Sequence, residues 1–173
     1  MKYSPSEIDS ILSTINIIVD TREQNTAALK RRIAGFGCPA VRQKLDFGDY
    51  SFTFTLPDGT VQNGQNIAVV ERKMDLDELA SCFTKSRARY KREFERATAA
   101  GTKVHTIIER ASYEKIYGKR YISRLNPKSF IASYLSWAGR YNIQLHFCEP
   151  ETTPALIHDI MHYSLREYLL NLE

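Results

Sequence analysis

The stretch Ile67-Ala68-Val69-Val70-Glu71-Arg72-Lys73, with Phe47-Gly48-Asp49-Tyr50 some twenty residues before it, decides how this chain reads. Ile67 to Val70 is apolar and β-branched, the pattern of a buried strand bounded by polar turns. The run then ends in an acid and two bases, with Asp75 and Asp77 following. Side chains alternate faces along a strand, so Glu71 and Lys73 point one way and Arg72 the other. A carboxylate and an ammonium thus stand side by side at the exit of a core strand, and Asp49 is placed to join them. Carboxylates gathered with a lysine suit Mg²⁺-dependent attack on phosphate. A solvated strand end carrying surface ion pairs is the competing reading of the same residues, and such pairs add little stability.

Working outward, the pattern alternates strands and helices. Ile15 to Asp20 reads as a strand ending in Asp20-Thr21-Arg22-Glu23, and Thr26 to Ala34 as a helix stopped by glycines. A strand over 41–45 and a hairpin arm from Tyr50 to Leu56 follow, with Pro57-Asp58-Gly59 as the turn and 60–66 as a polar loop. After the central strand come helices at 76–83 and 87–100, a strand at 104–108, a helix at 129–140, a strand at 143–147 and a last helix at 154–170. In that last helix Ile157, Ile160, Met161, Leu165 and Tyr168 face inward. Such alternation predicts an α/β fold, a mixed β-sheet flanked by α-helices, in one domain over 1–173. The charge of +4 in 173 residues excludes little by itself. Its distribution says more. Lys85, Arg89, Arg92 and Arg96 fall at spacings that share one helix face, with Arg87 beside them. A second basic group from Lys115 to Lys128 is interleaved with Tyr113, Tyr117 and Tyr121, which read more as packing residues than as base-stacking ones. Basic faces of this kind are either a phosphate footprint or a solvated helix surface.

Cys38, Cys82 and Cys148 form no CxxC pair, which points to a reducing compartment rather than a disulfide framework. With no apolar run long enough for a membrane and no signal-like N-terminus, the expected location is cytoplasmic. Asp46-Phe47-Gly48 imitates a kinase DFG without its companion motifs. His158 and His162, four apart on a helix with Asp159 between them, imitate a zinc-protease motif whose glutamate is missing.

Gly48-Asp49, then Glu71-Arg72-Lys73 with three residues before Asp77, resembles the GD…ERKxxxD signature of XPF-type structure-specific endonucleases. Asp20-Thr21-Arg22-Glu23 is similar to that family's DxRE element, in the expected order, and the basic helix lies where the family carries a further arginine motif, with Arg87 and Arg89 both candidates for it. The resemblance covers about residues 15–110. It implies a restriction-endonuclease-like core and a Mg²⁺- or Mn²⁺-dependent endonuclease for branched, forked or flap DNA, acting as a homodimer. Asp49 and Glu71 are then the metal ligands, with Asp20 adding a ligand, to the same ion or to a second one about 4 Å away. Lys73 serves the attacking water or the phosphate charge. Arg22 and Arg72 bind phosphate or brace the acids, and Glu23 and Asp77 hold those bases. Lys85, Arg87, Arg89, Arg92 and Arg96 contact DNA. Residues 111–173 lack the glycine hairpins of a tandem helix-hairpin-helix domain and look like the stand-alone phage and bacterial forms, in which they complete the fold. A non-catalytic DNA-binding scaffold and a four-way-junction resolvase on the same core are the alternatives.

Overall fold

A computed structural model describes residues 2–172. Helix α1 (Pro5–Leu12) begins at Ser4, whose hydroxyl accepts from the Glu7 N–H while the Glu7 carboxylate takes the Ser4 N–H, a reciprocal cap that satisfies two orphan donors. There follow β1 (Asn16–Val19), α2 (Ala27–Ala34), β2 (Ala40–Arg42), β3 (Tyr50–Thr55), β4 (Val61–Asn63) and β5 (Ala68–Lys73). The second half holds α3 (Leu76–Phe83), α4 (Arg87–Ala99), β6 (Lys103–Glu109), α5 (Tyr113–Tyr117), α6 (Pro127–Tyr141), β7 (Gln144–Cys148) and α7 (Thr153–Leu170).

The sheet runs β2-β1-β3-β5-β6-β7, with β4 paired to β3 off this path. β3 is antiparallel to both β1 and β5, whereas β5, β6 and β7 are parallel, so the sheet is mixed. Residues 61–63, read as loop, form a strand paired with Thr53–Thr55. The Asp58-Gly59 turn closes this hairpin, but β4 is an exposed edge whose polar residues carry no burial pattern. β2 is shorter than the 41–45 strand expected, and Tyr168 of α7 is 44% exposed rather than inward.

Two cores flank the sheet. Val70 packs with Ile17, Tyr50, Ile107 and the α7 residues Ile157, Met161 and Leu165. Val69 packs with Leu79, Phe83, Tyr90, Phe94, Ile108 and Trp137 on the other side. That alternation directs everything that follows on β5, because Glu71 and Lys73 inherit the face of Val69 and Arg72 that of Val70. The expected apolar stripe on α3 and α4 is buried, with Tyr90 stacked on Trp137 at 5.6 Å between centroids. No helix among the described residues is long and apolar enough to cross a membrane.

Gly48 makes the approach to β3 possible. Its φ is +76°, and a Cβ there would lie 3.0 Å from the Val69 Cβ and 3.3 Å from the Val70 carbonyl. Gly48→Ala therefore meets both a left-handed backbone penalty of roughly 1–2 kcal/mol and a contact with the central strand. We expect its denaturant midpoint to fall by at least that energy; an unchanged midpoint would show that the turn tolerates a side chain.

Candidate active site

Glu71 and Lys73 are both buried at the end of β5, 8% and 7% exposed. The Lys73 ammonium donates to Glu71 Oε1, lies 4.0 Å from Glu78 Oε1 and sits 5.1 Å from the Tyr90 ring centre. Burial is the largest single influence and would lower the Lys73 pKa, but the Glu71 charge together with Tyr90, Cys82 and Asp49 around it holds Lys73 well above the ordinary lysine range. Lys73 is thus a fixed cation and a donor, not a proton acceptor.

Asp49 reaches this pair from the start of β3. Its N–H donates to the Val70 carbonyl at 2.8 Å, and its Oδ2 accepts the Arg72 N–H at 2.8 Å. The carboxylate thus continues the ladder between β3 and β5 where backbone pairing stops. Burial and then the Glu71 charge push its pKa well above the usual carboxylate range, against the pull of Lys73 and the Arg72 N–H.

Asp20 ends β1 next to Asp49, its N–H bonded to the Asp49 carbonyl at 2.9 Å. Its oxygens, however, are taken. Oδ1 accepts the Arg22 N–H and Nε, both at 2.7 Å, and Oδ2 accepts Leu45 N–H at 2.6 Å and Arg22 Nη2 at 3.2 Å. A carboxylate offers about four acceptor positions, and here all are used. Burial would raise its pKa, but these donors hold it below the usual value. In this arrangement Asp20 is turned to Arg22 rather than to Asp49 and Glu71, and Arg22 braces it.

On the opposite face the Arg72 guanidinium grips Glu109 at the end of β6, Nε at 2.8 Å and Nη2 at 2.5 Å. Thr153 donates to the same carboxylate at 2.7 Å, and Arg32 lies 3.9 Å away. Glu23 was expected to hold Arg22 or Arg72. Instead it accepts from the Tyr50 hydroxyl at 2.9 Å and faces Arg32 at 3.6 Å. Asp77 likewise holds no base: it accepts the N–H groups of Ile122 and Ser123, at 2.9 and 2.6 Å. Sequence spacing could not show this, because its partners are main-chain groups some 45 residues on.

Among the basic residues, Lys85, Arg89, Arg92 and Arg96 are exposed, and Arg96 Nη2 leans to the Asp46 carbonyl at 3.4 Å. Arg87 lies over Trp137 at 5.4 Å and donates to the Phe83 carbonyl, while the Arg89 charge bears on Glu93. Glu93 was missed by sequence reasoning. It lines a cavity of about 10 Å³ with Gly48, Glu71 and Tyr90, and burial followed by the Glu71 charge raises its pKa. Its one sequence signal is an acid four residues after Arg89 within the basic run. Tyr113 and Tyr117 are exposed, although the Tyr113 ring still meets Phe147 edge-on at 5.0 Å, and Tyr121 packs on Phe130 at 5.1 Å. The rings of His158 and His162 lie 5.8 Å apart with no third ligand, for among the described residues no group of three His, Cys, Asp or Glu side chains gathers.

The ERCC4 domain matches residues 19–158. The chain belongs to the ERCC4-domain family, the XPF-type nucleases. Its fold is similar to that of XPF from Aeropyrum pernix, with a TM-score of 0.62 and 22% identity over 89% of this chain and 67% of that one. Similarity to XPF from Aeropyrum pernix in complex with DNA has a TM-score of 0.61 and 22% identity, over 88% of this chain and 66% of that one. The chain therefore spans about two thirds of the length of those structures. Comparison with curated proteins finds no match. The mixed sheet with helices on both faces is the restriction-endonuclease-like core that the motifs implied.

An acid whose folded pKa is raised destabilises the fold as pH climbs from the ordinary aspartate range toward the raised value, because the unfolded chain ionises first. Asn at position 49 keeps an acceptor for the Arg72 N–H but cannot ionise. Asp49→Asn should therefore melt a few degrees higher than wild type near neutral pH, the response to about 1 kcal/mol, and the gain should shrink below pH 4. A lower melting temperature across the whole range would contradict the electrostatic account.

Proposed function

We propose that the protein is a Mg²⁺- or Mn²⁺-dependent endonuclease that hydrolyses phosphodiester bonds in branched, forked or flap DNA. One observation carries the reading: Asp49 and Glu71 converge where β3 and β5 part, with the Lys73 cation against Glu71. The donor set fits a hard divalent cation. Mg²⁺ is commonly held by one or two carboxylates and keeps most of its waters, and Asp49 has an oxygen beyond the one given to Arg72, beside a second carboxylate that raises its pKa. Asp49 and Glu71 would hold the ion, which would supply charge neutralisation on phosphate and a more acidic water.

The chain's own groups do the rest. The Arg72 N–H fixes the Asp49 carboxylate, and Glu71 fixes the Lys73 ammonium. Lys73 stabilises the negative charge that grows on the phosphate oxygens as the water oxygen–phosphorus bond forms and the ester bond breaks, the leaving oxygen taking up a proton. Arg89, Arg92 and Arg96 present an exposed basic face on α4, suited to tracking the backbone of a DNA partner. That a solved XPF with this fold holds DNA supports the partner assignment. The reading includes a homodimer, for which β7 is the candidate surface: it is an edge strand of the sheet, and none of its residues is fully buried.

Forked, flap, four-way and plain duplex DNA, each incubated with Mg²⁺ and with EDTA, give the test. Metal-dependent cleavage of a branched substrate is expected, with Glu71→Gln inactive and Lys73→Met slower by about 10²–10³, the cost of one lost electrostatic donor. Cleavage confined to four-way DNA would favour the resolvase, and binding without cleavage the scaffold. Mg²⁺ should also raise the melting temperature of the wild type more than that of Asp49→Asn. Light scattering should give twice the 19.9 kDa chain mass, and a monomer at working concentration removes the dimer from the proposal.

A further inference from the structure

The segment 118–126, between α5 and α6, is a loop held in one shape. Asp77 takes two of its N–H groups, the Tyr121 hydroxyl donates to the Leu125 carbonyl at 2.8 Å, and the Arg120 N–H closes onto the Lys115 carbonyl at 2.8 Å. Lys119 donates to the Ser123 carbonyl and lies 3.9 Å from the centre of the Tyr121 ring. On this frame stands Ile122, 92% exposed, the most exposed large apolar side chain among the described residues. Single exposed apolar residues are ordinary. What sets Ile122 apart is that its own N–H is tied to the aspartate of the catalytic motif, so the side chain is presented to water in a fixed direction. Asp77 directly precedes Glu78, whose carboxylate lies 4.0 Å from the Lys73 ammonium, which ties the loop to the reaction centre through one residue. Between the loop and α3 runs a groove of about 650 Å³, to which Lys85 and Arg124 bring two exposed cations.

We propose that this loop reads the branch point: Ile122 enters the base stack where two DNA strands part, while Lys85 and Arg124 hold the phosphates of the departing strand in the groove. The inference rests on the nuclease reading above and deepens it. A surface of cations alone binds the backbone of any duplex and carries no preference for a branch. An apolar wedge does discriminate, because inserting it means unstacking a base step, and at a branch the step is already interrupted. The rigid frame adds to this. A tip already ordered in the free protein loses no freedom on binding, and burying one isoleucine is worth about tenfold or more in affinity. The commitment to DNA as occupant comes from charge, since Lys119, Arg120 and Lys128 extend the basic surface around the same tip.

Ile122→Ser in the full chain is the test, with forked DNA carrying 2-aminopurine at the branch and an unbranched duplex of equal length. Melting of the variant should match wild type, because the side chain makes no core contact. Wild type should brighten the 2-aminopurine on binding. Ile122→Ser should abolish the brightening and lower the fork-to-duplex cleavage ratio about tenfold, and Ile122→Met, still an apolar wedge, should restore both. Replacing Lys85 and Arg124 together with serine should flatten the salt dependence of fork binding by about two in slope. Full brightening and an unchanged ratio in Ile122→Ser would overturn the proposal and leave the nuclease reading standing. If wild type cuts nothing, the nuclease reading falls, and the fluorescence still decides the wedge because it needs binding alone. No binding of forked DNA by wild type would overturn both.

Discussion

The Arg72 guanidinium and the Glu109 carboxylate meet in a two-pronged bond across the ends of β5 and β6, and the geometry of both faces depends on it. Strand alternation leaves no choice about direction. If Glu71 and Lys73 turn toward the α3–α4 side, Arg72 must turn into the core shared with α7, where an unpartnered cation is prohibitively unfavourable. Glu109 supplies the partner in the planar fork geometry that only a guanidinium matches. Burial would raise the Glu109 pKa, yet Arg72 and the Thr153 hydroxyl hold it below the usual range. Thr153 ties in the first turn of α7, Arg32 brings α2, and Tyr50 and Glu23 close the chain of contacts back to β3 and the end of β1. With its guanidinium so fixed, Arg72 has a fixed main chain as well, and its N–H is the group that holds Asp49. One residue thus secures a structural carboxylate, Glu109, on one face and the proposed metal-binding carboxylate, Asp49, on the other.

The acids of this region divide by what they are given. Asp20 has four donors and a lowered pKa; Glu109 has three and the same direction of shift. Asp49 has one N–H, a carboxylate for a neighbour and a raised pKa. The fold was able to satisfy acids here, and it does so twice within the same strand ends. Leaving Asp49 short of donors is the kind of local destabilisation that active sites retain because the reaction needs it. In the proposed reading, a cation at Asp49 and Glu71 would supply what the protein withholds, whereas at Asp20 it would have to displace Arg22.

Much of this was legible because it rests on short-range periodicity. Alternation on β5 separates Glu71 and Lys73 from Arg72, the 3.6-residue stripe buries Leu79, Phe83, Tyr90, Phe94 and Ala97, and motif order places Asp49 beside Glu71. Partnerships across the chain were not legible. Glu109 and Thr153 lie 37 and 81 positions beyond Arg72, and nothing local in either segment announces the pairing. Asp20 could be placed at a strand end but not oriented, since the donors that capture it include Leu45 N–H from an irregular stretch. β4 escaped because an exposed edge needs no apolar alternation, and Glu93 because one acid in a basic run reads as a surface ion pair.

The spacing of Glu71-Arg72-Lys73 and Asp77 has a physical reason. Met74 is the exposed corner where the strand ends, and its N–H donates to the Glu78 carboxylate at 2.8 Å. Asp75 caps α3 by accepting the Glu78 N–H at 2.8 Å, and Leu76 drives the first turn into the core. Three residues are therefore what a strand-to-helix turn takes before the next side chain can look outward from the helix, and that side chain is Asp77. An amide oxygen in its place could still accept both N–H groups, which converge on Oδ1, but only the carboxylate adds the negative charge that strengthens both bonds near a helix start. The motif aspartate thus works in this chain as an anchor that binds a distant loop to the strand bearing Glu71 and Lys73. The position of that loop relative to Glu71 and Lys73 is set by the same seven-residue span, Glu71 to Asp77, that carries those two side chains.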